Sequence, residues 1–362
     1  MIILGIETSC DDTGIAIVEV APTKVGVVFN ILSNTISSQI KTHAPFGGVV
    51  PNLAAREHLK NIEPCLRQAF RETNLRPENI DLIAVTIGPG LIPSLLIGVN
   101  FAKALAYKFN IPIIGVNHLE GHIIAAISGE NSKFEIRNSK FLPAIALVVS
   151  GGHTQLILMK KFGSYKIIGE TRDDAAGECF DKVAKLLRLG YPGGPAIAKE
   201  AAKVHPTADH PQGGKVHLPR PMINHKNYDF SFSGLKTAVL YLTRNVGRPT
   251  SYMISAICYE VQQAIIDVLI DKTLRAAQEY KAKTIILSGG VAANTELREQ
   301  FQKSLQATTY KLQPNFLVPP KNLCTDNGAM IAMAGYFGAK QHPALRDASY
   351  SKILANANLR LN

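Results

Sequence analysis

Two histidines four residues apart, His118 and His122, stand in the run Asn117-His118-Leu119-Glu120-Gly121-His122. The apolar run Ile111 to Val116 before them reads as a buried strand, and Ile123 to Ile127 after them as the body of a helix. Four residues along a helix return to the same face about 6 Å further along the axis, so both imidazoles can reach one ion. Imidazole suits zinc or iron, and such a pair needs at least one further ligand from elsewhere in the chain. The same spacing also serves a surface pair or hydrogen-bonded core histidines. Glu120 falls two residues after His118, one place off the H-E-x-x-H order, which turns a candidate base away from the ligand face and argues against a metalloprotease.

Other stretches carry chemistry of a different kind. Glu7-Thr8-Ser9-Cys10-Asp11-Asp12-Thr13-Gly14 sets hydroxyls, backbone donors and carboxylates between two strand-like runs, a tip able to meet a cation or hold a phosphate through peptide N–H groups. A solvent-facing turn would be polar as well. Ser150-Gly151-Gly152-His153-Thr154 and Ser288-Gly289-Gly290-Val291-Ala292-Ala293-Asn294 are glycine-rich turns after strands. Phe230 to Thr237 is a hydroxyl-rich turn before a helix, equally suited to a phosphate or to a simple helix cap. Asp326 stands at a loop-to-helix boundary, where a carboxylate either caps the helix or completes a metal site. The irregular spacing of His205, His210 and His217 disfavours a second metal site.

The elements that must position these residues come in two rounds. Ile2 to Ile6 and Ile15 to Val20 form a hairpin, Val27 to Ser37 a further strand, Leu53 to Glu72 a helix, Ile80 to Thr86 a strand opening into Gly88-Pro89-Gly90, and Leu95 to Phe109 another helix. A second hairpin, Ala144 to Val149 and Gln155 to Lys160, starts the order again. Helices follow near Asp173 to Leu189 and across Ile254 to Leu269, then the strand Thr284 to Leu287. The repeated order implies two related α/β lobes whose glycine turns line a central cleft beyond the carboxyl ends of the strands. Residues 1–135 are expected to form the first lobe and 136–340 the second, with 341–362 a tail able to return to the first.

The length of 362 residues allows two domains with substantial cores. An apolar fraction of 46% with few aromatic residues suits an α/β protein. Lysine and arginine outnumber aspartate and glutamate by 39 to 28, a net +11 that favours a polyanionic partner, nucleic acid before an acidic membrane. The five cysteines are scattered and odd in number, against a disulfide framework and in keeping with a reducing compartment. No secretory leader and no run long enough to cross a bilayer are read from the sequence, so a soluble, cytoplasmic protein is expected.

Six ordered motifs then converge. Gly5-Ile6-Glu7-Thr8-Ser9-Cys10-Asp11-Asp12-Thr13, Asn117 to His122, Val149-Ser150-Gly151-Gly152-His153-Thr154, Gly177 to Lys182, Phe230 to Thr237 and Cys324 to Ala329 together resemble the tRNA N6-adenosine threonylcarbamoyltransferase family, once described as glycoproteases. The resemblance covers nearly the whole chain. It implies the two-lobed fold of actin, sugar kinases and heat-shock ATPases. It implies one metal, Fe(II) with Zn(II) as the alternative, on His118, His122 and Asp326, and ligand-binding positions at Val148, Val149, Ser150, Gly151, Gly152, Asp181, Gly194 and Asn294. Asp12 stands where glutamate is common in bacterial relatives; its shorter arm alters an outer-sphere contact and keeps the charge.

The implied reaction transfers threonylcarbamoyl from threonylcarbamoyladenylate to N6 of adenosine 37 in tRNAs reading codons that begin with A, releasing AMP. Asp11 and Asp12 are expected to position the phosphate end or handle protons. The implied partners are tRNA, an inactive paralogue of the transferase and a small P-loop ATPase, with no membrane. The competing reading is an actin-like ATPase or small-molecule kinase, which would depend on magnesium for phosphoryl transfer.

Overall fold

The computed structural model describes residues 1–24, 26–128, 133–134, 141–204, 216–246, 249–307, 313–341 and 350–361. Its contacts divide into two units. The first comprises Met1–Lys140, Lys161–Tyr165 and Leu317–Asn362, the second Phe141–Lys160 and Lys166–Phe316.

In the first unit, strand β1 (Ile2–Glu7) is apolar up to its last residue and buried along almost its whole length, the signature of a strand covered on both faces. It pairs antiparallel with β2 (Asp12–Pro22), Ile6 opposite Ile15, and β2 pairs in the same sense with β3 (Val27–Ser38). The short α1 (Ile40–His43) and the long α2 (Pro51–Thr73) follow, then β4 (Leu82–Gly88), α3 (Ile92–Phe109), β5 (Ile113–Asn117), α4 (His118–Ser128) and β6 (Lys133–Phe134). The strand order among the described residues is β5-β4-β1-β2-β3-β6, with β1, β4 and β5 parallel.

Alternation along the strands decides what covers each face. Leu4, Ile6, Ile15, Ile17, Ile83 and Val85 meet Ile62, Cys65 and Ala69 of α2 and Val99 and Ala102 of α3 in one buried cluster. Fully burying an aliphatic side chain of this kind contributes about 1.5–3 kcal/mol. The opposite face is narrow at its middle, where small residues form one row. Gly5 lies in register with Ala16 on one side and Ala84 on the other.

The second unit repeats the opening. β7 (Ala144–Val149), buried at every position, forms an antiparallel hairpin with β8 (Thr154–Lys161), followed by β9 (Ser164–Glu170). Helices α5 (Ala176–Leu186), α6 (Gly193–Ala201), α7 (Ser233–Val246) and α8 (Ser251–Glu279) lead to β10 (Thr284–Ser288), α9 (Thr295–Ala307) and β11 (Asn315–Leu317). The order β11-β10-β7-β8-β9 matches β5-β4-β1-β2-β3 place for place, and β10 runs parallel to β7 as β4 does to β1.

Two expectations are corrected. Helix α8 is long and apolar enough to cross a membrane by length and composition, contrary to the sequence reading, but 67% of its most apolar window is buried inside the fold. Ile257, Val261, Ile265, Val268 and Leu269 are core residues of the second unit. The second correction concerns residues 317–340, expected in the second lobe. Helix α10 (Gly328–Gln341) packs instead on β1, β2 and β4 of the first unit. The reason is steric: a Cβ on Gly5 would meet the Gly328 carbonyl and the Ala332 backbone, and one on Gly335 would meet Ala84. Only the small-residue row admits a helix this close.

Candidate functional site

The placement of α10 brings Asp326 to the histidines. His118 and His122, 5% and 1% exposed, sit on the first turns of α4. Asp326 Oδ1 lies 3.6 Å from His118 Nε2 and 3.3 Å from His122 Nε2. Ligand atoms of the three residues all fall within 4.8 Å of one another. His122 Nε2 is buried and makes no well-directed hydrogen bond despite the nearby carboxylate. Two imidazole nitrogens and a carboxylate oxygen this close together are a donor set that could hold a cation. Gly121, between the histidines, lets α10 lie close, since a Cβ there would press on the side chains of Met330 and Ile331.

At the boundary before α10 the neighbouring residue supplies a cap. Asn327, wholly buried, accepts from the Met330 N–H at 3.0 Å and caps α10. At the other helix, the Asn117 side chain accepts from the Leu119 N–H at 2.9 Å.

The electrostatics favour positive charge at the cluster. Burial alone would depress His118, yet the Asp326 and Glu7 carboxylates outweigh it and lift the imidazole to about 9. Burial keeps His122 below the ordinary histidine range despite Asp326. Glu7 is fully buried. Burial would raise it, but His118, by charge and hydrogen bond, holds it below the usual carboxylate range.

Asp11 and Asp12 lie on the β1–β2 tip, both partly buried. Burial, then the charges of Asp11 and Asp326, push Asp12 up to about 7. The tip is pinned by His58 of α2, wholly buried and held below its ordinary range by burial. Its Nε2 donates to the Cys10 carbonyl at 3.0 Å, and its Nδ1 accepts from the Thr13 hydroxyl at 2.8 Å. Glu120, off the ligand face, accepts from the Tyr165 hydroxyl at 2.9 Å. It is a packing partner, which leaves the metalloprotease reading without its base. Burial raises the thiols of Cys10, Cys65, Cys179 and Cys258, Cys179 to about 12, which disfavours their thiolates.

In the second unit the implied ligand positions gather around the β7–β8 hairpin. Val148 and Val149 are wholly buried, so they offer a ligand only backbone. The Ser150 N–H donates to the His153 carbonyl at 2.8 Å and closes the turn. Gly151 and Gly152 are exposed, and a Cβ on either would meet nothing within 4 Å. Helix α5 begins against this turn, and its Asp181 accepts from the Gly193 N–H at 2.7 Å, setting the start of α6 and the neighbouring Gly194. Asn294 caps α9 through the Leu297 N–H and donates to Gln262 at 2.9 Å. The short helical turn Gly290–Ala293 before it touches β7 and α5, so these segments are neighbours.

The sequence model of a family described as "TsaD: tRNA N6-adenosine threonylcarbamoyltransferase" matches residues 30–333. The chain belongs to that family. Curated members from Bacillus cereus, Thermosipho africanus and Bacillus subtilis are each 46% identical to it. The matches cover 94%, 93% and 92% of this chain and 92%, 94% and 90% of those proteins, which carry the name tRNA N6-adenosine threonylcarbamoyltransferase. Among solved structures, HypF from T. kodakarensis aligns over 95% of this chain and 48% of its own, with a TM-score of 0.55 at 14% identity. A HypF structure in the phosphate- and nucleotide-bound form gives 0.52 at 15% identity, over 94% of this chain and 46% of its own. Both likenesses concern the fold.

Within this tRNA N6-adenosine threonylcarbamoyltransferase family member, His118, His122 and Asp326 are brought together, with Asp11 and Asp12 on the adjoining tip. Of the loop histidines, His205 and His210 lie outside the described residues, and the 91%-exposed His217 stands 3.5 Å from Glu260, outside the cluster. Sequence reasoning took Glu7 and Ser9 only as part of a polar tip able to meet a cation or a phosphate, and gave no individual role to them or to Thr86, His58 or Asn327. A charged residue closing the otherwise apolar strand Ile2–Glu7 was the available signal for the first of them.

Proposed function

We propose that this chain is the acyltransferase that forms N6-threonylcarbamoyladenosine at position 37 of tRNA, taking the group from threonylcarbamoyladenylate and releasing AMP. The observation that carries the site-level reading is the convergence of His118, His122 and Asp326 within 4.8 Å, in a chain matched by the family from residue 30 to 333. Two imidazoles and one carboxylate fit a divalent cation with open positions, a donor set that suits Fe(II) and also accepts Zn(II). When bound, such an ion supplies Lewis-acid polarisation of a carbonyl oxygen.

The chain's own residues take the other tasks. In the second unit the exposed Gly151-Gly152 segment of the Ser150–His153 turn offers N–H donors suited to the adenylate phosphate, while Asp181, Gly194 and Asn294 complete the adenylate subsite. The attacking N6 amine must lose a proton as its nitrogen bonds to the carbamoyl carbon and the bond to the AMP oxygen breaks. Asp12, which burial holds above the ordinary carboxylate range, is the candidate acceptor; Asp11 lies beside it on the tip. The matching strand orders of the two units support a duplicated design of the actin, sugar-kinase and heat-shock-ATPase type.

The residues around the metal ligands are acidic, so the basic surface that meets tRNA lies elsewhere. Arg67, Arg71 and Arg76 gather around an open depression beyond the end of α2, one place for such contacts. An inactive paralogue and a small P-loop ATPase complete the cytoplasmic assembly in this reading.

The test incubates protein and candidate partners with labelled threonylcarbamoyladenylate and unmodified tRNA, followed by nucleoside analysis. Label in adenosine 37 with stoichiometric AMP is expected. Magnesium-dependent ATP hydrolysis with no modified nucleoside would instead establish the kinase or ATPase class.

A further inference from the structure

We propose that Glu7 is a positioning residue for the cation site: its carboxylate fixes which nitrogen of His118 carries hydrogen, and Thr86 and Ser9 hold that carboxylate in place. This rests on the metal reading above.

Glu7 ends β1, wholly buried among apolar neighbours. A carboxylate there is expensive unless each oxygen is satisfied. Each is. Oε1 accepts the Ser9 N–H at 2.5 Å. Oε2 accepts the Thr86 hydroxyl at 2.6 Å and lies 3.0 Å from His118 Nδ1. Thr86, also wholly buried, follows Val85 on β4, and Val85 is paired with Ile6. The parallel register therefore sets the hydroxyl beside the carboxylate.

The donor and acceptor roles leave one arrangement. Thr86 spends its hydrogen on Oε2, and an ionised carboxylate only accepts, so Nδ1 must be the donor. Ser9 Oγ, 3.1 Å from Nδ1, is a second acceptor for the same N–H. With hydrogen fixed on Nδ1, the lone pair of the neutral ring is on Nε2, the nitrogen that faces Asp326. A ligating histidine whose other nitrogen donates to a carboxylate is a recurrent way to orient the ring and raise its basicity. No sequence motif signals it, because the three partners come from β1, the tip after it and β4.

Glu7→Gln separates this role from simple packing. The amide keeps the volume, but its oxygen is claimed by the Ser9 N–H, which leaves NH2 facing Nδ1. Nδ1 must then accept, and the hydrogen moves to Nε2, where it blocks the ligand position. In the full-length E7Q protein, titration with Co(II) and Zn(II) is expected to show affinity lower by about 10–100-fold, with AMP binding unchanged. Nitrogen-15 NMR of the metal-free protein, at alkaline pH where the ring is neutral, reads the tautomer directly: Nδ1–H in the wild type, Nε2–H in E7Q. Thr86→Val, which removes one hydrogen bond to Oε2 at constant shape, is the milder second variant, with a several-fold loss expected. Wild-type affinity and an Nδ1–H ring in folded E7Q would overturn the proposal; should E7Q not fold, unchanged affinity in T86V would do so. A wild-type protein that takes up neither metal overturns the metal reading instead, while the tautomer still decides the role of Glu7.

Discussion

The β1–β2 tip and the β7–β8 tip hold the same place in two sheets of matching strand order, yet they are made of opposite materials. The first carries Glu7, Ser9, Asp11 and Asp12 and is bound from beneath by His58. The second is Ser150-Gly151-Gly152-His153, whose glycines face open space. One tip presents side-chain charge fixed by buried bonds. The other presents exposed backbone and the absence of side chains. A repeated framework thus leaves the chemistry of each tip free to differ.

Substitutions can break the comparison at either end. The largest effect is expected from His122→Ala or Asp326→Ala: equimolar cation binding lost and threonylcarbamoyl transfer reduced by more than about a hundredfold, since even outer partners of a metal site are worth 10–100-fold. AMP binding should be untouched, checked by calorimetry. A coupled loss of both would show that the tips are not separable.

Adjacent glycines of the second unit sharpen the contrast. A Cβ on Gly193 would lie 2.5 Å from the Phe180 carbonyl and the Asp181 Cα, whereas one on Gly194 meets nothing within 4 Å. Gly193→Ala should cost about 1–3 kcal/mol of stability. Gly194→Ala should stay within about 0.5 kcal/mol of wild type and weaken AMP binding instead. Denaturation midpoints and binding isotherms on the pair separate the two outcomes.

Smaller effects are expected at the cap and on the tip. Asn327→Ala removes the α10 cap, about 1 kcal/mol, read as a lower thermal midpoint together with weaker cation binding. Asp12 gives a pH signature. Its folded value of about 7 lies above the ordinary 3.8, so the native state holds the extra proton between those limits. Its contribution to stability of the metal-free protein therefore falls as pH rises from about 4 to about 7. Asp12→Asn should flatten that part of the stability profile, and an unaltered slope would remove the assignment.

What the sequence made legible follows the same division. The histidine pair was readable from helical spacing, and the strands and hairpins from apolar alternation. Asp326 was readable only as one of two options, because choosing between cap and ligand depends on whether Asn327 beside it takes the cap. Glu7 escaped because its partners are 79 and 111 residues away in sequence, brought together by parallel pairing that no local pattern encodes. The assignment of 317–340 to the second lobe failed for a related reason. Linear order placed that stretch after β10, while the docking site of α10 is a row of small residues spread over three strands of the first sheet.

That row, Ala16-Gly5-Ala84, acts as a gauge block. The loop carrying Asp326 is anchored at Gly328, whose own Cβ would strike the Gly5 carbonyl and the Ala16 N–H, so the thickness of the row sets how far the carboxylate stands from the two imidazoles. The distance between carboxylate and imidazoles is thereby set by side chains that touch neither. A single methyl added at Gly5 would press on the Gly328 carbonyl and the Ala332 backbone, pushing α10 away and drawing Asp326 off the two histidines.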